Sequence, residues 1–257
     1  MTIFDDFSTV YDHMFPWETR KRNEGDFFPR LFVERGVKRV LDCACGTGMH
    51  VIQFAGLGLE AHGSDLAPTM VEAARENARR EEVAADFRVC SFTELLKGFA
   101  GVERFDAVVC LGNSLTLAPT DADVARALWQ MHGMLRPGGI AVVHIFNWDK
   151  LARERLRIMP ATASALDGHE VTFLRVFHHR GDRIDLNIVV VTREGERVQT
   201  RVLTAVQRPV GPGRLVGLAR EAGFRRLETF AGYDRRPFDP ESSDQLVLLA
   251  SVPPAGK

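Results

Sequence analysis

The tract Leu41-Asp42-Cys43-Ala44-Cys45-Gly46-Thr47-Gly48 stands where a strand-like run turns into a helix-like one. Its glycines let the backbone bend tightly and let a ligand approach with no side chain in between. A dinucleotide loop would read G-x-G-x-x-G, with a third glycine for close helix–strand packing and a helix N-terminus aimed at a pyrophosphate. Val51 occupies that third position, and Asp42 lies four residues before the first glycine. A carboxylate there is poor company for phosphates and good company for a cation, such as a sulfonium that also carries an α-ammonium. Asp65 follows Gly48 by 17 residues and ends the next strand-like run. Alone it would read as a helix cap. With the glycine bend before it, it reads as the carboxylate that accepts both hydroxyls of a ribose.

Other reactive side chains form weaker patterns. The eight histidines include no HExxH pair, and His178 and His179, being adjacent in a strand, point to opposite faces, so no metal site is expected. The four cysteines, Cys43, Cys45, Cys90 and Cys110, form no CxxC pair and read as reduced, buried thiols. His144 and Asn147 end a fifth strand-like run and are expected to face the crevice where ligands of such sheets bind. His144 could take the proton of an amine or hydroxyl there, or it could be a hydrogen-bonded structural histidine. Tyr233 and Arg235, between the last two strand-like runs, either reach the same pocket or form a surface loop.

The elements that must hold these residues alternate from residue 38 to about 146. Strands are expected at Arg39–Cys43, Leu59–Ser64, Phe87–Cys90, Phe105–Leu111 and Ile140–Phe146. Between them lie helices, one opened by Pro68 and one running from Asp121 to the Arg-Pro-Gly-Gly stop. That order predicts parallel βαβ units with helices on both faces. After residue 167 the rhythm changes to three strand-like runs, Val171–His178, Asp182–Arg193 and Arg197–Arg208, joined by the turns RGDR and EGER. These predict an antiparallel hairpin insertion over 167–210. A helix at Arg214–Ala222 and a closing pair, Phe224–Phe230 and Gln245–Val252, complete the main sheet. Residues 1–36 read as a helical cap bearing Phe4, Phe7, Tyr11, Phe15, Trp17, Phe27 and Phe28, and 37–257 as one doubly wound α/β domain.

The 257 residues are 45% hydrophobic and 26% charged, with a formal net charge of −1. This balance disfavours partners captured by bulk electrostatics, nucleic acid among them. The N-terminus lacks a signal-peptide pattern, and no run approaches the ~20 apolar residues of a membrane span, so a cytoplasmic location is expected.

Taken in order, the glycine bend, Asp65, the tract Cys110-Leu111-Gly112-Asn113-Ser114 with Pro119 and Asp121, and the LRPGG loop (Leu135–Gly139) resemble the class I S-adenosylmethionine-dependent methyltransferases. Within them the likeness is to the glycine N-methyltransferase group, over about 5–253. The resemblance implies a Rossmann-like seven-stranded methyltransferase sheet. It also implies S-adenosyl-L-methionine as cofactor, with S-adenosyl-L-homocysteine as product. Gly46 and Gly48 would pack against the cofactor's methionine part, with Asp42 and Ala44 close by. Asp65 would hold the ribose with Leu66 beside it, and Ser91 and Phe92 would contact the adenine. Leu111 would present its carbonyl to the cofactor's ammonium beside Asn113. Tyr11 matches a family tyrosine near the cofactor, and Trp17 would line the entrance. Two positions depart from the pattern. Phe146 stands where glycine N-methyltransferases place an arginine that grips the substrate carboxylate, and Leu117 replaces a histidine. Without that clamp glycine is not the expected acceptor.

The expected activity is therefore methyl transfer to N or O of a small molecule, with His144, Asn147 and Tyr233 as candidate catalytic residues. The hairpin insertion could cover the acceptor site or pair two copies as a homodimer. A non-catalytic regulator that keeps the nucleoside loop is the alternative from another class. RNA or protein methylation is disfavoured by the charge and by CLGNS standing in place of an NPPY tetrapeptide.

Overall fold

A computed structural model describes residues 10–166 and 169–254. The N-terminal part of the expected cap, with Phe4 and Phe7, lies outside the described residues. A helical stretch over 10–14 leads into α1 (Trp17–Glu24) and α2 (Phe27–Arg35). The alternating part follows as β1 (Arg39–Asp42), α3 (Met49–Gly56), β2 (Glu60–Asp65), α4 (Pro68–Arg80), β3 (Asp86–Val89), α5 (Leu95–Gly98) and β4 (Phe105–Cys110). A 3-10 turn (Ser114–Leu117), α6 (Asp121–Met134), β5 (Leu135–Phe146) and α7 (Trp148–Arg153) come next. Then come β6 (Ile158–Leu166), β7 (His169–Arg180), β8 (Arg183–Glu194), β9 (Arg197–Gln207), α8 (Pro212–Glu221), β10 (Arg226–Phe230) and β11 (Gln245–Ser251).

Seven strands form the main sheet in the order β10-β11-β5-β4-β1-β2-β3. β1 to β5 run parallel, and β11 enters antiparallel beside β5, pairing Val247 with His144. The central strands are apolar on both faces because helices cover both: every residue of β4 is buried. Strand alternation divides the core in two. Leu41, Val108, Cys110, Ala141 and Val143 pack with α6 and α8 on one face. Val40, Ala107, Val109, Ile140 and Val142 pack with α2, α3 and α4 on the other. Local signals agree with this layout. Thr120 caps α6 by accepting the Asp123 amide, and Pro68 opens α4 where no amide donor is needed. The strand order reverses between β1 and β4, so the C-terminal ends of those strands open the crevice in which such sheets take their ligands.

The insertion differs from its expected form. It is a four-stranded antiparallel sheet, β6-β7-β8-β9, and its first strand begins before residue 167. The sequence IMPATASAL hides β6 because Pro160 and a run of small residues break the apolar alternation. The strand carries a register shift between Met159 and Thr162 and lies at the sheet's edge, where a proline is tolerated. Among the described residues no helix is long and apolar enough to cross a membrane.

Candidate functional site

The bend after β1 takes the left-handed backbone that its glycines permit, with φ of +53° at Gly46 and +88° at Gly48. A Cβ on Gly48 would fall 2.9 Å from that of Ala74 and 3.1 Å from the Phe87 ring, so α4 and β3 hold the bend tightly from behind. A Cβ on Gly46 would meet only the Tyr11 ring, at 3.8 Å, which places Tyr11 as a roof over the bend. Asp12 anchors that roof by accepting the Thr47 hydroxyl at 2.5 Å.

Two carboxylates flank the bend. Asp42, 1% exposed, accepts the Ala44 amide at 3.1 Å. Asp65 accepts the amides of Gly46 (3.0 Å) and Ala67 (2.9 Å), one on each oxygen, which leaves a lone pair on each. Burial raises the pKa of Asp65, the amides of Ala67 and Gly46 oppose that rise, and the charge of Asp42 adds to it. Negative charge so placed attracts a cation-bearing nucleoside and repels a diphosphate. Ser91 and Phe92 follow β3 directly, and the Cys90 amide donates to the Asp65 carbonyl at 2.9 Å, so both residues sit next to Asp65. Ser91 Oγ is paired with Thr93, and Leu66 is 58% exposed beside it.

A charged network that sequence reasoning missed backs the bend. His50 on α3 contacts Glu24 on α1 through Nε2 at 2.8 Å and faces Asp42 through Nδ1 at 3.6 Å. Burial pulls the His50 pKa down, but the charge of Glu24 and hydrogen bonds to Asp42 and Glu24 outweigh it and the net shift is upward. Arg20, one turn before Glu24, is half-buried among Tyr11, Glu24, Tyr233 and Asp42, whose charges act on it. Its Nη2 would lie 3.7 Å from a Cβ on Gly112, so the guanidinium sits over the loop after β4. Nothing in WETRKRNE distinguishes Arg20 from Lys21 or Arg22, because the burial of one cation is decided by the tertiary docking of α1.

Beside the bend opens a cavity of about 770 Å³. Its walls come from the N-terminal helices (Tyr11, Arg20, Glu24), the loop after β4 (Asn113), the end of β5 (His144, Phe146), the second sheet and the β10–β11 loop (Tyr233). His144 is 7% exposed and its Nε2 is 2.8 Å from Gln245 Oε1. An amide oxygen only accepts, so Nε2 carries the proton and Nδ1 is a bare lone pair. That atom is buried without a hydrogen-bond partner. Burial holds the His144 pKa down at about 4 despite the bond to Gln245, so the ring is neutral at pH 7. The Tyr233 ring lies 5.6 Å from that of His144, and burial lifts its phenol far above the usual range.

Several expected placements are corrected. Asn147 does not reach the cavity: its amide donates to the Pro240 and Ser243 carbonyls at 2.9 Å, and its oxygen caps α7 at Lys150. Arg235 turns away to Glu34, at 3.0 Å, and stacks on Phe27. Trp17 packs against the core behind α2 and does not line the cavity. The Leu111 carbonyl, expected to face the cofactor, accepts from the amide and hydroxyl of Ser114 at 3.3 and 2.8 Å. Asn113 does line the cavity, but its oxygen accepts from the Phe146 amide (3.0 Å) and Trp148 Nε1 (3.1 Å), fastening the β4 loop to β5 and α7. All four cysteines are buried and free, and among the described residues no cluster of His, Cys, Asp and Glu is placed to hold a metal ion.

Residues 40–139 match the family model of the methyltransferase domain. A glycine/sarcosine N-methyltransferase from Parasynechococcus marenigrum (strain WH8102) is 35% identical over 246 residues, covering 96% of this chain and 83% of that protein. A solved S-adenosylmethionine-dependent methyltransferase from Clostridium acetobutylicum ATCC 824 shares the fold with a TM-score of 0.79 at 17% identity, covering 97% of this chain and 99% of that one. The CcbJ methyltransferase from Streptomyces caelestis shares it at 0.76 and 23% identity, covering 98% of each chain.

Proposed function

The chain belongs to the class I S-adenosylmethionine-dependent methyltransferases, and on that premise we propose that it methylates a nitrogen of a small-molecule acceptor held in the cavity beside the glycine bend. The observation that carries this reading is the charge of the bend. Asp42, buried, and Asp65, half-buried, flank a Gly46–Gly48 turn that Tyr11 roofs, an environment built for a cationic nucleoside. S-adenosylmethionine supplies an electrophilic methyl group on a sulfonium. An acceptor nitrogen's lone pair forms the new N–CH3 bond, the S–CH3 pair stays on sulfur, and an N–H proton is released.

The residues then divide the work. Asp65, with Leu66, Ser91 and Phe92 next to it, holds the ribose and adenine end; Gly46, Gly48 and Ala44 receive the methionine end. Arg20, over Gly112, takes the cofactor's carboxylate. The described part of the N-terminal stretch, residues 10–36, acts as a cap, and Tyr11 and Arg20 close the site from that side. The reaction disperses charge, so positioning and the exclusion of water supply most of the acceleration. His144 Nδ1 accepts a hydrogen bond from the acceptor's N–H and so aims its lone pair. A pKa of about 4 makes this imidazole a weak base, which suits orientation better than proton removal. Tyr233 packs against it and fixes its ring.

Labelled methyl transfer into small-molecule extracts tests the proposal. The wild type yields a methylated amine, and His144→Ala lowers the rate about 10- to 100-fold, on the order of 1.4–3 kcal/mol, with unchanged affinity for S-adenosylhomocysteine. An unchanged rate removes His144 from the mechanism, and the absence of any methylated product leaves the protein a non-catalytic binder.

A further inference from the structure

The second sheet carries a charge on its inward face that the methyl-transfer reading does not use. Along β7, Val171, Phe173 and Phe177 point inward and are buried. Arg175 has the same parity, and it sits opposite Ile188 of β8 and Met159 of β6, all three lining the cavity. Its guanidinium lies over the Phe15 ring, with Cζ 5.4 Å from the centroid. Among the described residues it has no carboxylate within 4.0 Å and no hydrogen-bond acceptor. Burial alone, with no opposing charge nearby, holds its pKa below the usual value, yet a guanidinium keeps its proton throughout the neutral range. The result is a partly desolvated cation in an apolar row, an arrangement that costs stability unless an anion completes it.

The other charges facing this cavity are already matched. Glu24 is engaged with His50 and with Arg20, and Asp234 pairs with Arg236. The lining residues hold three guanidiniums (Arg20, Arg175, Arg236) against two carboxylates (Glu24, Asp234), and Arg175 is the one left over. The cofactor's own excess positive charge is answered outside this lining, by Asp42 and Asp65 at the glycine bend, so it does not offset Arg175. A neutral amine would leave the Arg175 excess in place, whereas an acceptor bearing an anion would reduce it. On the main sheet, His144 offers Nδ1 to an N–H, so the cavity's lining presents complementary groups to two parts of one molecule. Phe146, whose ring lies 6.1 Å from that of His144, offers only an apolar surface to the cavity.

We propose that Arg175 reads the acceptor: its guanidinium fork binds an anionic oxygen group, carboxylate or phosphate, that the acceptor carries on the side away from the methylated nitrogen. This rests on the methyltransferase reading above. The anion clamp then stands on β7 and not on β5.

Matched amines that differ only in the anion test it, using the full chain and labelled S-adenosylmethionine. The pairs are sarcosine and its amide, β-alanine and its amide, and phosphoethanolamine and ethanolamine; the first two report on carboxylate and the third on phosphate. At least one anionic member is expected to exceed its neutral partner by about tenfold or more in kcat/KM. Arg175→Gln should erase that preference mainly through KM, and Arg175→Lys should restore part of it. Affinity for S-adenosylhomocysteine, measured by calorimetry, should match wild type in both variants, which also shows that they fold. Equal or better use of the neutral members, no use of any anionic member, or a preference that survives Arg175→Gln overturns the inference. A wild type that fails to bind S-adenosylhomocysteine sinks the methyltransferase reading itself, so the two failures are told apart.

Discussion

The bend between β1 and α3 and the cavity under the second sheet lie side by side, yet they are built from different material. The bend is a few consecutive residues whose backbone does the work, clamped from behind by Ala74 and Phe87. The cavity is made of side chains from many separate stretches of chain that meet only in the folded state, from Tyr11 to Gln245. A backbone site tolerates little change and serves one ligand. A side-chain site can be re-cut, by placing Phe146 at one wall and Arg175 at another, without disturbing its neighbour.

The largest test of that contrast is steric. Gly48→Val puts a branched side chain on a left-handed residue with no room, and should cost about 3–5 kcal/mol in thermal unfolding and abolish S-adenosylhomocysteine binding. Phe146→Leu, on the cavity wall, should cost less than about 1.5 kcal/mol and leave cofactor affinity unchanged. Equal losses would erase the distinction.

Next in size is an opposed pH response of two buried histidines. The pKa of His144 is lowered in the folded protein, so the unfolded chain binds its proton first as pH falls. Its contribution is lost between about pH 6.5 and 4, reaching about 3 kcal/mol. The pKa of His50 is raised, so its contribution is full below about pH 6.5 and is lost as pH climbs through the raised value. His144→Phe should flatten the acid limb of Tm against pH, and His50→Gln the alkaline limb; limbs that do not respond in this way would break the assignment. The smallest effect belongs outside both regions. Arg235→Ala removes a half-exposed pair with Glu34 and should change stability by less than about 1 kcal/mol and methyl transfer not at all.

The same contrast explains what the sequence made legible. The bend, Asp65, the alternation of strands and helices and the closing antiparallel pair are written in contiguous residues and fixed spacings, and the structure has them where the pattern puts them. β6 was lost because its proline and small residues carry no period. Arg20, Glu24 and His50 were lost because three separate elements must dock before their charges meet. Arg175 lay within reach of sequence reasoning: counting by twos from Val171 through Phe173 to Phe177 puts an arginine on an apolar face. Asn147 misled because its position at the end of β5 says where the backbone goes and not which way the amide turns.

Calorimetry of S-adenosylhomocysteine binding to wild type, Asp65→Ala and His144→Ala tests the division of labour most directly. Asp65→Ala should lose about 1–3 kcal/mol of affinity as the ribose hydroxyls lose their acceptor, while His144→Ala should bind as tightly as wild type. Full affinity in Asp65→Ala, or a comparable loss in His144→Ala, would contradict it.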